Sequence, residues 1–255
     1  MIGSRMRAVV APLALGCALL LGWVLTAKIG QMPRFVLPTP ADVLDALHLQ
    51  LSSRSFWRSL CVTLFEAFGG STLGAAVAIP LAVAIHESRW FSAATQPFLG
   101  ATQAIPAIVL APLLVLWVGY GLVPVMVLCA LMVFFPILVA TVLGLRHVDP
   151  ELVAAGRMDG AGTLSLLRHI EGPLSLPSTL AGLRNGFTLS ITGAVVGEMV
   201  MGGSGLGELL TIQRDRLDTP GMFATIGVLC LVAATIYSII RWLEHRISFT
   251  DAAAD

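Results

Sequence analysis

Residues 122–145 read LVPVMVLCALMVFFPILVATVLGL, an unbroken run of 24 positions without one charged side chain. At 1.5 Å rise per residue such a run spans about 36 Å as a helix, more than the ~30 Å hydrocarbon core of a bilayer. Its apolar residues are continuous and do not alternate with period two, which excludes a strand of a membrane barrel. Lipid offers backbone N–H and C=O groups no partner, so a spanning segment of this kind satisfies them internally, as an α-helix. Gly119-Tyr120-Gly121 precedes the run and is long enough only for a tight turn. Arg146 and His147 close it.

Working outward, comparable runs lie at 8–27, 58–85, 97–118, 176–201 and 221–243. The expected fold is all-α: a polytopic membrane bundle of about six transmembrane helices, forming a single domain over residues 1–255. Composition agrees. Hydrophobic residues make up 56% of the chain and charged residues 12%, with mean hydropathy +0.88, where soluble domains carry about 25% charged residues. Net charge is zero, so no basic face points to nucleic acid. Cys17, Cys61, Cys129 and Cys230 stand singly in apolar runs, and the five histidines lack metal-ligand spacing, so no metal is expected. Arg5 and Arg7 precede the first run, which is longer than the apolar region of a signal peptide and is read as a retained span.

The connections differ in character. In the first, 28–57, Thr39-Pro40-Ala41-Asp42 reads as a helix start, with Thr39 as cap and Pro40 in the first turn. Val43, Leu44, Leu47 and Leu51 then fall on one side of a short amphipathic surface helix over 40–52. The connection 146–175 is the most polar stretch of the chain, and 202–220 is a glycine-rich loop. With the N-terminus inside, nine loop arginines fall on the cytoplasmic side, against six basic residues outside. This bias favours a cytoplasmic N-terminus and places 146–175 in the cytoplasm.

Within that loop, Asp149-Pro150 starts a helix, Ala154 and Ala155 are small helix formers, and Gly160 turns the chain. Leu164, Leu167 and Ile170 begin a second short apolar face. Two short helices with a glycine elbow, held under the membrane, suit a groove on a partner protein.

This stretch resembles the E-A-A-x-x-x-G loop of ABC-importer permeases, and the whole chain resembles their nitrate/sulfonate/taurine group. Phe35-Val36-Leu37-Pro38-Thr39-Pro40, Ile105-Pro106, Leu116-Trp117-Val118-Gly119, Ala181-Gly182-Leu183-Arg184, Gly197-Glu198-Met199 and Gly205-Leu206-Gly207 match that group in order and spacing. The resemblance implies a MetI-like type I importer fold in the bacterial inner membrane. It implies ATPase coupling through 150–172, carried by Ala154, Ala155, Gly156, Arg157, Asp159, Gly160 and Ala161. It also implies three kinds of partner: an ATP-binding subunit, a second permease subunit (a homodimer or a heterodimer), and a periplasmic or lipid-anchored solute-binding protein. The chain departs from the motif where Ala154 stands for its glutamate, Gly156 for its second alanine and Gly172 for a leucine. The family often carries arginine where this chain has Glu66 and Gln103.

Lys28 is the only lysine, so a Walker A loop cannot exist here. No cofactor is expected in the chain; ATP and magnesium would bind the partner ATPase. No catalytic constellation is present, and the chain is not expected to be an enzyme. Glu66 and Glu198 fall inside predicted spans, where a charge costs about 2.5–3.5 kcal/mol. With Gln103 they are candidates to line the translocation path. A path so poor in positive charge tilts the expected substrate from a sulfonate- or nitrate-type anion toward a neutral or cationic heterocycle such as a vitamin precursor. The alternative is an ion- or proton-coupled secondary transporter using Glu66 and Glu198.

Overall fold

The structure is a computed structural model. It describes the backbone of residues 2–29, 36–103 and 106–251, and side chains at 10, 14–27, 36–95, 97 and 106–244. Every element among the described residues is helical. In order they are α1 (Ile2–Ile29), α2 (Pro40–Leu51), α3 (Arg54–Glu87), α4 (Arg89–Gln103), a 3-10 turn (Ala107–Leu110), α5 (Ala111–Val118) and α6 (Leu122–Arg146). Then follow α7 (Pro150–Met158), α8 (Thr163–Leu166), a π turn (Leu167–Glu171), α9 (Gly172–Met201), α10 (Leu206–Asp215) and α11 (Thr219–Asp251).

Among the described residues, three helices are long and apolar enough to cross a membrane: Arg54–Glu87, Leu122–Arg146 and Thr219–Glu244. A fourth candidate is the bent pair Thr163–Met201 and Leu206–Asp215, at 51°. The expected span at 97–118 is not one helix. Helix α4 ends at Gln103, Pro106 precedes the 3-10 turn, and α5 follows. Pro106 and Pro112 lack the N–H groups a continuous helix needs there. A count of six spans is therefore not established.

The chain divides into two compact units. The first comprises Met1–Trp57 and Leu209–Val228. In it the expected start of α2 is realised as a capping box: the Asp42 amide donates to Thr39 Oγ1 (3.3 Å) and the Thr39 amide to Asp42 Oδ2 (3.1 Å). Gln50 Nε2 donates to the Gly221 carbonyl (2.9 Å). Leu44 is 64% exposed, so the packed side of α2 is the one carrying Gln50 and not the one carrying Leu44. Asp218 caps α11 by accepting from the Gly221 amide (3.0 Å), and Trp23 donates to the Pro38 carbonyl (3.0 Å).

The second unit comprises Arg58–Glu208 and Leu229–Asp255. Its centre is the packing of α9 on α6, which small residues make close. A Cβ at Gly182 would lie 2.6 Å from that of Ala140, and one at Gly186 would lie 2.8 Å from Val133 Cγ1. Lipid gives helices no hydrophobic reason to associate, so this close van der Waals approach carries much of the adhesion. Ser190 Oγ adds a bond from α9 to the Ala67 carbonyl of α3 (2.8 Å). Arg184, near the end of a predicted span, has a side chain long enough to reach the membrane interface. It instead donates to Glu244 Oε2 of α11 at 2.6 Å and stacks on Tyr237 at 5.0 Å.

Candidate functional site

Two places in the second unit hold the candidate residues: the polar connection after α6, and a buried carboxyl pair between α3 and α9.

The connection opens with Asp149 as N-cap, accepting from the Glu151 amide (2.8 Å), and with Pro150 in the first turn of α7. Helix α7 ends in a Schellman motif: the Ala161 amide donates to the Gly156 carbonyl (3.0 Å) and the Gly160 amide to that of Arg157 (3.1 Å). Gly160 sits at φ 81°, a left-handed conformation that costs any side-chain-bearing residue about 1–2 kcal/mol. Gly156, which replaces the alanine of the motif, lies where a Cβ would be 2.7 Å from both Leu166 Cδ2 and Ile170 Cδ1. Its lack of a side chain thus lets α7 sit down on the following turn. Outward, Ala154, Ala155, Arg157 and Asp159 are exposed and Ala161 is half-buried. Beside them Leu152 is 48%, Met158 88% and Leu164 77% exposed.

The second short helix differs from its expected pattern. Leu166 is buried and Leu164 is not. The π turn at Leu167–Glu171 offsets the helical register by one residue, which moves the buried side. It also delivers Glu171 to His86 at the end of α3 (3.3 Å). Donor atoms of His86, Glu87 and Glu171 lie within 4.8 Å of one another, close enough for a metal ion. The His86 contact already partners the buried Glu171 carboxylate without one.

The structure brings Glu66 and Glu198 together and buries both, at 0% and 1% exposure. Glu198 is well supplied with donors: Thr63 Oγ1 bonds its Oε1 at 2.6 Å and the Gly207 amide bonds its Oε2. Thr63 Oγ1 in turn accepts from the Leu206 amide (2.8 Å), so one carboxylate and one hydroxyl pin the turn that joins α9 to α10. Gly207 is required there, since a Cβ would sit 2.8 Å from that of Glu198. Neither Glu66 oxygen has a hydrogen-bond partner among the described residues. The Gln103 side chain lies outside the described residues. Sequence reasoning singled out the two glutamates but missed Thr63, one helical turn before Glu66. The available signal was the Gly205-Leu206-Gly207 spacing, which marks a backbone approaching something closely.

The chain belongs to the family of binding-protein-dependent transport system inner membrane components, which residues 70–249 match. It is 40% identical to the riboflavin transport system permease protein RibX of Chloroflexus aurantiacus over 89% of this chain and 85% of that one. It is 32% identical to the formylaminopyrimidine transport permease protein ThiX of Halalkalibacterium halodurans, over 88% of each. Identity to the putative aliphatic sulfonates transport permease protein SsuC of Bacillus subtilis is 27%, over 88% of this chain and 82% of that one. The fold is similar to that of the inward-facing MetNI methionine ABC transporter, with TM-score 0.67 at 18% identity over 74% of this chain and 94% of that one.

The protein is thus the multi-pass permease subunit of an ABC importer, and not an enzyme; ATP is hydrolysed on a separate subunit. Family membership implies an ATPase subunit and a solute-binding protein as partners. The ion-coupled alternative falls with this assignment.

Proposed function

We propose that this permease imports a small nitrogen heterocycle of the vitamin or vitamin-precursor kind, and that α7 with its glycine elbow receives the force of ATP hydrolysis. The observation that carries the coupling role is the exposed apolar set Leu152, Met158 and Leu164 around Ala154 and Ala155, on a segment otherwise polar and firmly capped. An apolar helical face of this size fits a groove on a partner, and the Schellman turn makes it stiff enough to move as one piece. The N-terminus lies in the cytoplasm, as the arginine bias favours, so the elbow meets an ATPase there. ATP and magnesium bind that partner, and a second permease copy or a paralogue completes the path.

Support for the substrate class comes from likeness: identity is higher to the riboflavin and formylaminopyrimidine permeases than to the sulfonate permease. Reconstitution of the complex with its ATPase and binding protein tests the reading. ATP hydrolysis is expected to rise several-fold with riboflavin or formylaminopyrimidine and to stay at its basal rate with taurine. A response to taurine alone overturns the substrate class and leaves the coupling role standing.

A further inference from the structure

We propose that the cavity bordered by the 3-10 turn, α6 and α9 is a subsite for the permeating solute, in which Asn185 reads the hydrogen-bonding edge of a flat heteroaromatic ring. The inference rests on the heterocycle reading above and adds to it the place and the residue. The cavity measures about 760 Å3 and lies wholly within the second unit. That is room for a two- or three-ring solute, within the range of small-molecule pockets.

Its wall is chemically selective. Among the described residues that line it none is ionisable, and Asn185 is the single polar side chain. An anion entering it would lose its hydration with no counter-charge in return. A neutral ring meets Phe134 and Phe135, which are packed edge to face with centroids 4.9 Å apart at 83°. Met132 and Pro136 also line the cavity. Proline at 136 has no N–H for the carbonyl four residues before it, so the helix partner of the Met132 carbonyl is missing beside the solute.

Asn185 sits on the side of α9 next to Gly182 and Gly186, whose missing side chains hold α9 against α6. Its amide is exposed and has no hydrogen-bond partner among the described residues. A carboxamide offers a donor and an acceptor side by side. That pair matches a ring edge with an adjacent N–H and C=O, or an amino group beside a ring nitrogen, as when asparagine reads adenine. Pyrimidines, pteridines and flavins carry such edges; sulfonates and nitrate do not.

The test uses the full complex in liposomes, with riboflavin as probe and taurine as control. Asn185→Leu is expected to lower riboflavin uptake at least tenfold in a complex that still assembles with its ATPase and binding protein. Phe135→Ala is expected to reduce uptake similarly, since it removes one of the two crossed rings at the cavity. Should the leucine variant fail to assemble, Asn185→Ser serves in its place. Wild-type uptake of riboflavin with unchanged uptake in these variants overturns the subsite, and means that lipid or a second permease copy covers this wall. A wild-type complex that takes up no riboflavin overturns instead the substrate reading on which the subsite rests.

Discussion

Met158→Asp is expected to abolish substrate-stimulated ATP hydrolysis while leaving the permease folded in the membrane. Met158 is 88% exposed at the last turn of α7, so the substitution removes no internal contact. Its effect arises only where a partner covers the residue. In an apolar groove a new carboxylate has no counter-charge, and burying it costs several kcal/mol, on the order of a 100-fold or greater loss of association. Gly160→Leu reaches the same end by another route. It forces a side chain into the left-handed conformation at φ 81°, a cost of about 1–2 kcal/mol that the chain escapes by rebuilding the elbow. Co-purification of the ATPase with each variant, followed by its stimulated activity, measures both. Normal coupling in Met158→Asp would mean that this face docks nothing.

Glu198→Ala is expected to lower the melting temperature of the purified permease by roughly 10 °C, and Glu66→Gln to leave it nearly unchanged. Alanine at 198 deprives the Gly207 amide and the Thr63 hydroxyl of their acceptor. Each buried orphan costs about 1–3 kcal/mol, and a cavity adds to the loss. In a chain of this size 1 kcal/mol is worth about 2–4 °C. Glutamine at 66 keeps the shape of the side chain and places an N–H donor beside the Glu198 carboxyl. Thermal unfolding in detergent, followed by tryptophan fluorescence, distinguishes the two. A large loss in Glu66→Gln would show that the buried site requires the carboxyl group of Glu66 itself.

What could be read in the sequence was local. The Thr39 capping box and the Gly119-Tyr120-Gly121 turn, with both glycines at positive φ, need only neighbours within a few residues. So do the Asp149-Pro150 start and the glycine elbow. Run length gave the helices at 54–87 and 122–146 to within a turn. At 97–118 run length marks an apolar segment but not its break, since hydropathy weighs Pro106 by polarity and not by its missing N–H group. The pairings of Thr63 with Glu198, His86 with Glu171 and Arg184 with Glu244 join residues 60 or more positions apart. Only the packing of α9 against its neighbours decides them, and no periodicity announces it. Asn185 escaped for the same reason: an asparagine in a membrane helix signals nothing until the wall around it proves to be apolar.

The central claim is that the elbow after α6 faces the cytoplasm and is gripped by the ATPase. Placing a photoreactive amino acid at Met158, and separately at the exposed Tyr120 before the opposite end of α6, tests it in intact membranes of cells expressing the complex. The predicted result is a cross-link from position 158 to the ATP-hydrolysing subunit and none from position 120. An ATPase adduct at 120, or a product at 158 containing only the solute-binding protein, would contradict the account.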